Sequence, residues 1–386
     1  MRLAVHVFIL LNCLLVMSNV IAQHQQVYKD SIATAFFKKE TGCIAGDGGF
    51  TIPLSNNKVV WLMGDSHIDD YDKSTKTTPC LFQVRNAALL QPLNDWTATN
   101  TTTLTGNSSG FKSYLKNNSN DTFFCWPGAG VQVKDSVYIY CSSFKNEGAG
   151  AFGFAVSGND FVASAHVNNL DEKKYRLLEN FNEISFGAGV AKSNDNKWVY
   201  LYGQKYTPAE MRCDLYIARF ATARPYSDIQ YWDGKNWGSD VRQSKVIASQ
   251  TGVSGTFHVS KVKNKFLLLS SALSINCDSG TEMFAAVADN FSGPFSNQRL
   301  LYKIDDSLDG HTPFFYAAIA HPEYINKENE LLITYAINGY GTCVPDCRNG
   351  RMDPDVYRLR GIRVPVSLIN SISESRKNED NKASVQ

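Results

Sequence analysis

The chain has 386 residues, with 38 Lys plus Arg against 37 Asp plus Glu and a formal net charge of +1. That balance lacks the basic surplus of a nucleic-acid surface, so no nucleic-acid partner is expected. After the first 22 residues no stretch approaches the ~20 apolar residues that a membrane span needs.

Residues 1–22 read as a secretory signal. Arg2 supplies the positive charge, Val5 to Val16 is mostly apolar, and Ala22 is a small residue at a cleavage point. The protein is therefore expected to be secreted or periplasmic. Export makes disulfides the default for Cys43, Cys80, Cys125, Cys141, Cys213, Cys277, Cys343 and Cys347. Their pairing is open, although Cys343 and Cys347 are close enough to close a small loop. A zinc site combining that pair with His311 is the rival use.

The next feature is a hairpin. Gly46-Asp47-Gly48-Gly49-Phe50-Thr51-Ile52-Pro53-Leu54 is a small-residue strand, and Val59 to Asp65 is its apolar partner. The same unit returns in degenerate form at Trp126–Val131 with Val137–Tyr140, and at Phe186–Val190 with Trp198–Tyr202. It appears again at Thr256–Val259 with Phe266–Leu269, and at Ala317–His321 with Leu331–Tyr335. Five long repeats of this kind predict an all-β, five-bladed β-propeller in a single domain over residues 23–370. Further strands are expected at Val84–Leu90, Phe152–Val156, Phe161–His166, Leu215–Phe220, Ile229–Trp232, Met283–Ala288 and Val356–Val364. The segment before Cys43 would close the last blade. Asn94 to Thr122, crowded with Asn, Ser and Thr, reads as a surface excursion, and residues 371–386 as a disordered polar tail. A monomer is expected.

If Ser55–Lys58 is the first turn, Leu54 pairs with Val59, and Asp47 falls opposite Ser66, beside Asp65. Cross-strand neighbours lie ~4.5–5.5 Å apart, so two carboxyl groups would meet at one end of the hairpin. Such a pair can divide into a protonated acid and an ionised partner, the arrangement that glycoside hydrolysis uses. The competing reading makes both of them turn residues that bond backbone amides.

The hairpin, with Val60-Trp61-Leu62-Met63-Gly64-Asp65-Ser66, resembles the opening of a family of secreted bacterial five-bladed propellers. Those domains, long listed as of unknown function, include endo-D-arabinofuranases. Arg85-Asn86-Ala87-Ala88-Leu89 resembles their next strand. His321-Pro322-Glu323, Ile333–Asn338 and Tyr357–Val364 resemble their closing blade. The likeness runs from about Thr41 to Leu368. More distantly, the chain is similar to the five-bladed furanosidases, with a blade-one Asp as base or nucleophile, a blade-two Asp as pKa modulator and a blade-three Glu as acid. The resemblance implies the first role for Asp47. Blade two offers Trp126-Pro127 in place of Asp, so the modulator would be Asp65. Blade three has Phe186 at the equivalent point, with Glu183 just upstream as the candidate acid.

Around these, Trp126 could stack on a sugar face, His258 and His321 could bond hydroxyls, and Arg85 could bind an acidic group. His67-Ile68-Asp69-Asp70-Tyr71-Asp72 lacks the Gly and distal Glu of a calcium loop, so no cofactor is expected, with calcium the one metal considered. The function expected is hydrolysis of glycosidic bonds in a polysaccharide or oligosaccharide, with a furanoside such as arabinan one candidate. The alternatives are a glycan-binding propeller without catalysis and a polysaccharide lyase using His and Tyr.

Overall fold

The computed structural model describes residues 26–106, 112–115, 122–148, 153–178, 181, 183–274, 276–339 and 347–373. The signal expected at 1–22 and most of the expected tail, 374–386, lie outside them.

The chain is all-β. A two-residue strand β1 (Tyr28–Lys29) precedes helix α1 (Ser31–Phe36), and five antiparallel meanders follow. The first holds β2 (Cys43–Pro53) and β3 (Lys58–Ile68), a connection containing β4 (Thr78–Pro79), then β5 (Ala87–Pro92) and β6 (Thr102–Leu104). The second is β7 (Phe123–Val133), β8 (Ser136–Asn146), β9 (Phe154–Val156), β10 (Phe161–His166) and β11 (Asn169–Leu177), with β9 alongside β8. The third runs β12 (Ser185–Lys192), β13 (Trp198–Thr207), β14 (Arg212–Ala221), β15 (Gln230–Trp232) and β16 (Trp237–Gly238), with β17 (Ala248–Thr251) on β14. The fourth is β18 (His258–Val262), β19 (Lys265–Ser271), β20 (Glu282–Ala288) and β21 (Arg299–Lys303). The fifth is β22 (Phe314–His321), β23 (Glu330–Asn338) and β25 (Leu359–Pro365), while β24 (Arg351–Met352) pairs with β4. One parallel bridge, Gly189 to Val259, joins the third and fourth meanders.

Period-two alternation puts a different apolar set on each face of a meander. In β3, Val59, Trp61 and Met63 pack with Phe36, Leu332 and Leu359, whereas Val60 and Leu62 pack with Ile139, Cys141 and Ala163. Val162 and Val131 meet Leu201 and Phe220, and Tyr202 and Leu215 meet Leu268 and Ala286. Leu267 and Leu269 meet Ile333 and Ile362. Each meander is thus sandwiched between its sequence neighbours, and the fifth packs on the first.

The expected closing strand is present: β1 pairs with β25. Asp30 fixes this junction. Its Oδ1 accepts from the amides of Ile32 and Ala33, both at 2.9 Å, capping α1, and its Oδ2 takes Arg363 Nε at 2.6 Å.

Several expectations need correcting. Residues 94–106 are not only a surface excursion, because they supply β6, and Tyr114 and Leu115 beyond it are buried. The outer strands β11 and β21 were not expected, and α1 breaks the all-strand pattern. Residues 366–373 form a short α-helix of about two turns, with Ile372 and Ser373 buried, so the polar segment at 371 begins packed. Cys347 bonds Cys80, 267 residues away, which removes it from a small loop with Cys343 and from a zinc site. Cys43, Cys125, Cys141 and Cys213 are buried thiols and not half-cystines, filling space on the strands as small apolar residues, with Asn86 Nδ2 3.5 Å from the Cys125 sulfur.

The inner strands lie side by side: β2 touches β7 and β22, β12 touches β7 and β18, and β18 touches β22. Four of them carry a bulge at the same level, at Gly46–Phe50, Pro127–Gly130, Ser185–Gly189 and Tyr316–Ile319. Small residues allow the approach there. A methyl group on Gly128 would lie 2.8 Å from Gly187, and one on Gly189 would lie 2.1 Å from the Val259 carbonyl oxygen. This level divides the inner strands into an N-terminal end around Asp47 and a C-terminal end that encloses a cavity.

Candidate active site at the N-terminal end of the inner strands

Asp47 sits in the β2 bulge. Pro53, not Leu54, pairs with Val59, and Gly46 rather than Asp47 faces Ser66. The one-residue offset begins at the turn, where the Leu54 amide donates to the Lys58 carbonyl, and it is the same on both sides of the bulge, whose left-handed backbone is supplied by Gly48 (φ 82°) and Gly49 (φ 99°). The bulge turns the Asp47 side chain over Gly64, where an added methyl group would lie 2.1 Å from Asp47 Oδ1. Tyr316 donates its hydroxyl to Asp47 Oδ2 at 2.7 Å, and Tyr357 and the Asp65 amide also bond the carboxyl group. Asp47 keeps a partly exposed surface, yet its carboxyl group is enclosed, and burial pushes its pKa up against these donors.

Asp65 is buried next to it, among several polar neighbours. Trp126 Nε1 donates to Oδ1 at 3.0 Å, and Arg85 Nη1 lies 3.5 Å from Oδ2. The Arg85 guanidinium covers the Phe124 ring at 4.1 Å, and Trp126 packs on Phe144 (4.5 Å) and Phe154 (4.8 Å). Asp47, Asp65, Arg85 and Trp126 therefore form one group, of which the sequence reading had placed only Asp47 and Asp65 together. Tyr316 and Tyr357 were missed as members. Nothing in the local sequence marks them, since they reach Asp47 from the far end of the chain.

Glu183 stands on the rim. Its backbone is left-handed (φ 65°), its side chain is 79% exposed, and its Oε2 pairs with Lys205 at 2.7 Å. That lysine holds its pKa below the usual carboxylate range, the opposite of what a resting general acid needs. A chain of contacts links it to the group above. Ser185, two residues on, shares a hydrogen bond with Ser142 at 3.0 Å, and Ser142 pairs across the sheet with Trp126.

The two histidines lie elsewhere. His321 is wholly buried, with Nδ1 on Thr51 (2.8 Å) and Nε2 on Thr334 (2.7 Å), so it is a strut of the wall. His258 accepts the Ala320 amide at Nδ1 (3.1 Å), and burial pushes its pKa down to about 3. It lines the cavity at the opposite end of the inner strands, away from Asp47. In the 67–72 segment the acids are committed to protein donors: Asp69 to Gly42, Asp70 to Arg351, and Asp72 to Ser74 and Thr75. Among the described residues no group of three or more His, Cys, Asp or Glu could hold a metal ion.

Glu323, noted in the sequence only as part of a closing-blade likeness, lines the same cavity as His258. Burial raises its pKa from 4.5 to about 7, against a bond from Thr51, with neutral His321 nearby. Between pH 4.5 and about 7 the folded protein keeps a proton that the unfolded chain has lost. Stability therefore falls as pH rises through that window. Glu323→Gln, which cannot ionise, is expected to be more stable than the parent by about 3 kcal/mol at about pH 8. The advantage should vanish below pH 4.5 in denaturant titrations.

The chain belongs to the family described as a domain of unknown function, DUF5005, whose model matches residues 30–368. None of the curated proteins matches it in sequence. Among solved structures, a Bacteroides ovatus protein provisionally classed as a hydrolase aligns with TM-score 0.67 at 18% identity, covering 87% of this chain and 89% of that one. An exo-β-1,3-galactanase from Phanerochaete chrysosporium aligns with TM-score 0.48 at 11% identity, over 83% of this chain and 60% of that one. An endo-arabinase from Bacteroides thetaiotaomicron aligns with TM-score 0.46 at 10% identity, over 85% and 97%. At such identities a likeness speaks to fold alone. Among the described residues no helix is long and apolar enough to cross a membrane.

Proposed function

We propose that the chain is an exported glycoside hydrolase built as a five-bladed β-propeller, acting on a polysaccharide or oligosaccharide at the Asp47 end. The ring reading is supported by the cyclic contacts of the five inner strands and by the packing of the fifth meander on the first. A furanoside such as arabinan is the substrate that the sequence resemblance favours.

One observation carries the proposal: Asp47, a residue at a partly exposed surface whose enclosed carboxyl group has its pKa raised by burial, lies close to an aromatic wall. A carboxyl group that stays protonated longer than usual can give its proton to a leaving glycosidic oxygen. Asp47 is accordingly assigned as the acid, the reverse of the base or nucleophile role expected for it. Glu183, held ionised by Lys205, is assigned as the base that activates water. Asp65 positions Trp126 and Arg85, and Trp126 offers its face to a sugar ring.

The experiment is reducing-end release by the purified mature chain on a panel of polysaccharides that includes arabinan. Release that is lost in Asp47→Asn and in Glu183→Gln supports the assignment. Saturable glycan binding without turnover would favour the non-catalytic reading, for which the exposed Lys205–Glu183 pair is the specific argument. Products absorbing in the ultraviolet would indicate a lyase.

Tyr316→Phe supplies a further check. Its hydroxyl bond lowers the Asp47 pKa, so removing it raises that pKa further. The limb of the pH–rate profile that belongs to Asp47 is expected to move to higher pH, and an unmoved limb would detach Asp47 from the rate-controlling titration.

A further inference from the structure

The C-terminal ends of the five inner strands enclose a cavity of about 620 Å³, lined by residues of every meander. That lies within the roughly 300–1,000 Å³ range of small-molecule sites. Two features inside it lack an explanation in the fold.

The first is Glu323. Its side chain is only 10% exposed, yet Oε1 has no hydrogen-bond partner, and the nearest cationic candidate, His321 Nδ1, stands 3.9 Å away and is neutral. A buried carboxyl oxygen left without a donor costs about 1–3 kcal/mol or more, and native proteins rarely leave one so. The second is a set of cations without carboxylates. Lys192 and Lys261 line the cavity from adjacent strands on its more exposed side. Lys261 bonds the side-chain oxygen of Asn194, and among the described residues Lys192 has no ion-pair partner. Lys134 joins Lys192 around a smaller adjoining cavity of about 310 Å³.

We propose that this cavity is a second ligand site, separate from the Asp47 end, and that it takes a small sugar acid whose carboxylate meets Lys192 and Lys261 while a ring hydroxyl donates to Glu323 Oε1. A bare anion would satisfy the lysines and leave Glu323 unpaired. A neutral sugar would do the reverse. The cavity wall partly desolvates the otherwise exposed Lys192 and lowers its pKa, and a bound carboxylate opposes that depression. The site does not depend on the glycosidase reading, because none of its groups belongs to the Asp47 cluster.

The test is titration calorimetry of the full chain with D-glucuronate and D-galacturonate, with D-galactose and acetate as comparators. Saturable binding of at least one uronate is expected, tighter than either comparator. It should weaken at least about fivefold in Glu323→Ala, which removes the acceptor, and in Lys192→Ala, the size of one lost hydrogen bond or ion pair, and persist in Asp47→Asn. Lys192 is exposed, so its variant remains informative if Glu323→Ala fails to fold. No binding of either uronate, equal binding of acetate or galactose, binding indifferent to both cavity variants, or loss of binding in Asp47→Asn would each overturn the proposal. The last outcome would move the uronate to the Asp47 end. Failure of polysaccharide cleavage alone would overturn only the glycosidase reading.

Discussion

Asp47→Asn is expected to lower glycosidase turnover by about 10²–10⁴-fold, the range that a positioned general acid contributes, while leaving the fold intact. Asn keeps the shape and can still accept from Tyr316, but it cannot give up a proton at neutral pH. Gly64→Ala makes a complementary test, because the carboxyl group is left chemically intact. The new methyl group would occupy a point 2.1 Å from Asp47 Oδ1, so the carboxyl group must swing away and strain its bond with Tyr316. A loss comparable with Asp47→Asn is expected in turnover, read alongside the thermal midpoint to separate displacement from unfolding. Full activity in either variant would remove Asp47 from the chemistry.

The second large effect concerns stability. Asp30→Ala removes at once the cap of α1 and the partner of Arg363, both of which are buried. Arg363 would retain its bond to the Tyr324 carbonyl at 2.6 Å, but its charge would be left without compensation. Breaking one partner of a buried ion pair costs about 3–5 kcal/mol, and the lost cap adds about 1 kcal/mol. Chemical denaturation should therefore show a loss of about 4 kcal/mol or more. Asp30→Asn, which keeps an oxygen for the cap, should lose less. A loss below about 1 kcal/mol for Asp30→Ala would mean that the junction of β1, α1 and β25 contributes little to holding the fifth meander in place.

The inner and second strands were legible because burial on both faces leaves a dense apolar signature, as in Phe266–Leu269 and Leu331–Tyr335. The outer strand β11 reads Asn-Leu-Asp-Glu-Lys-Lys-Tyr-Arg-Leu and is mostly exposed, so the forces that hold it are backbone pairing and not a pattern of side chains. Asp47 and Asp65 were legible as a pair through hairpin counting. Their register was not, because the sequence does not fix which residue opens the turn: Pro53 and not Leu54 faces Val59, and that single residue carries through to Gly46 opposite Ser66. Tyr316, Tyr357 and Glu323 come from the closing part of the chain and acquire meaning only when the fifth meander packs on the first. Cysteine pairing failed for the same reason: the Cys80–Cys347 bond is a product of tertiary proximity, which spacing in the sequence does not carry.

The most direct measurement is a crystal structure of Asp47→Asn soaked with an oligosaccharide that the parent enzyme cleaves. The account predicts a sugar ring against Trp126, with the glycosidic oxygen within hydrogen-bond reach of position 47 and a water between the ring and Glu183. An oligosaccharide seated elsewhere on the molecule, with the Asp47 end empty, would contradict it.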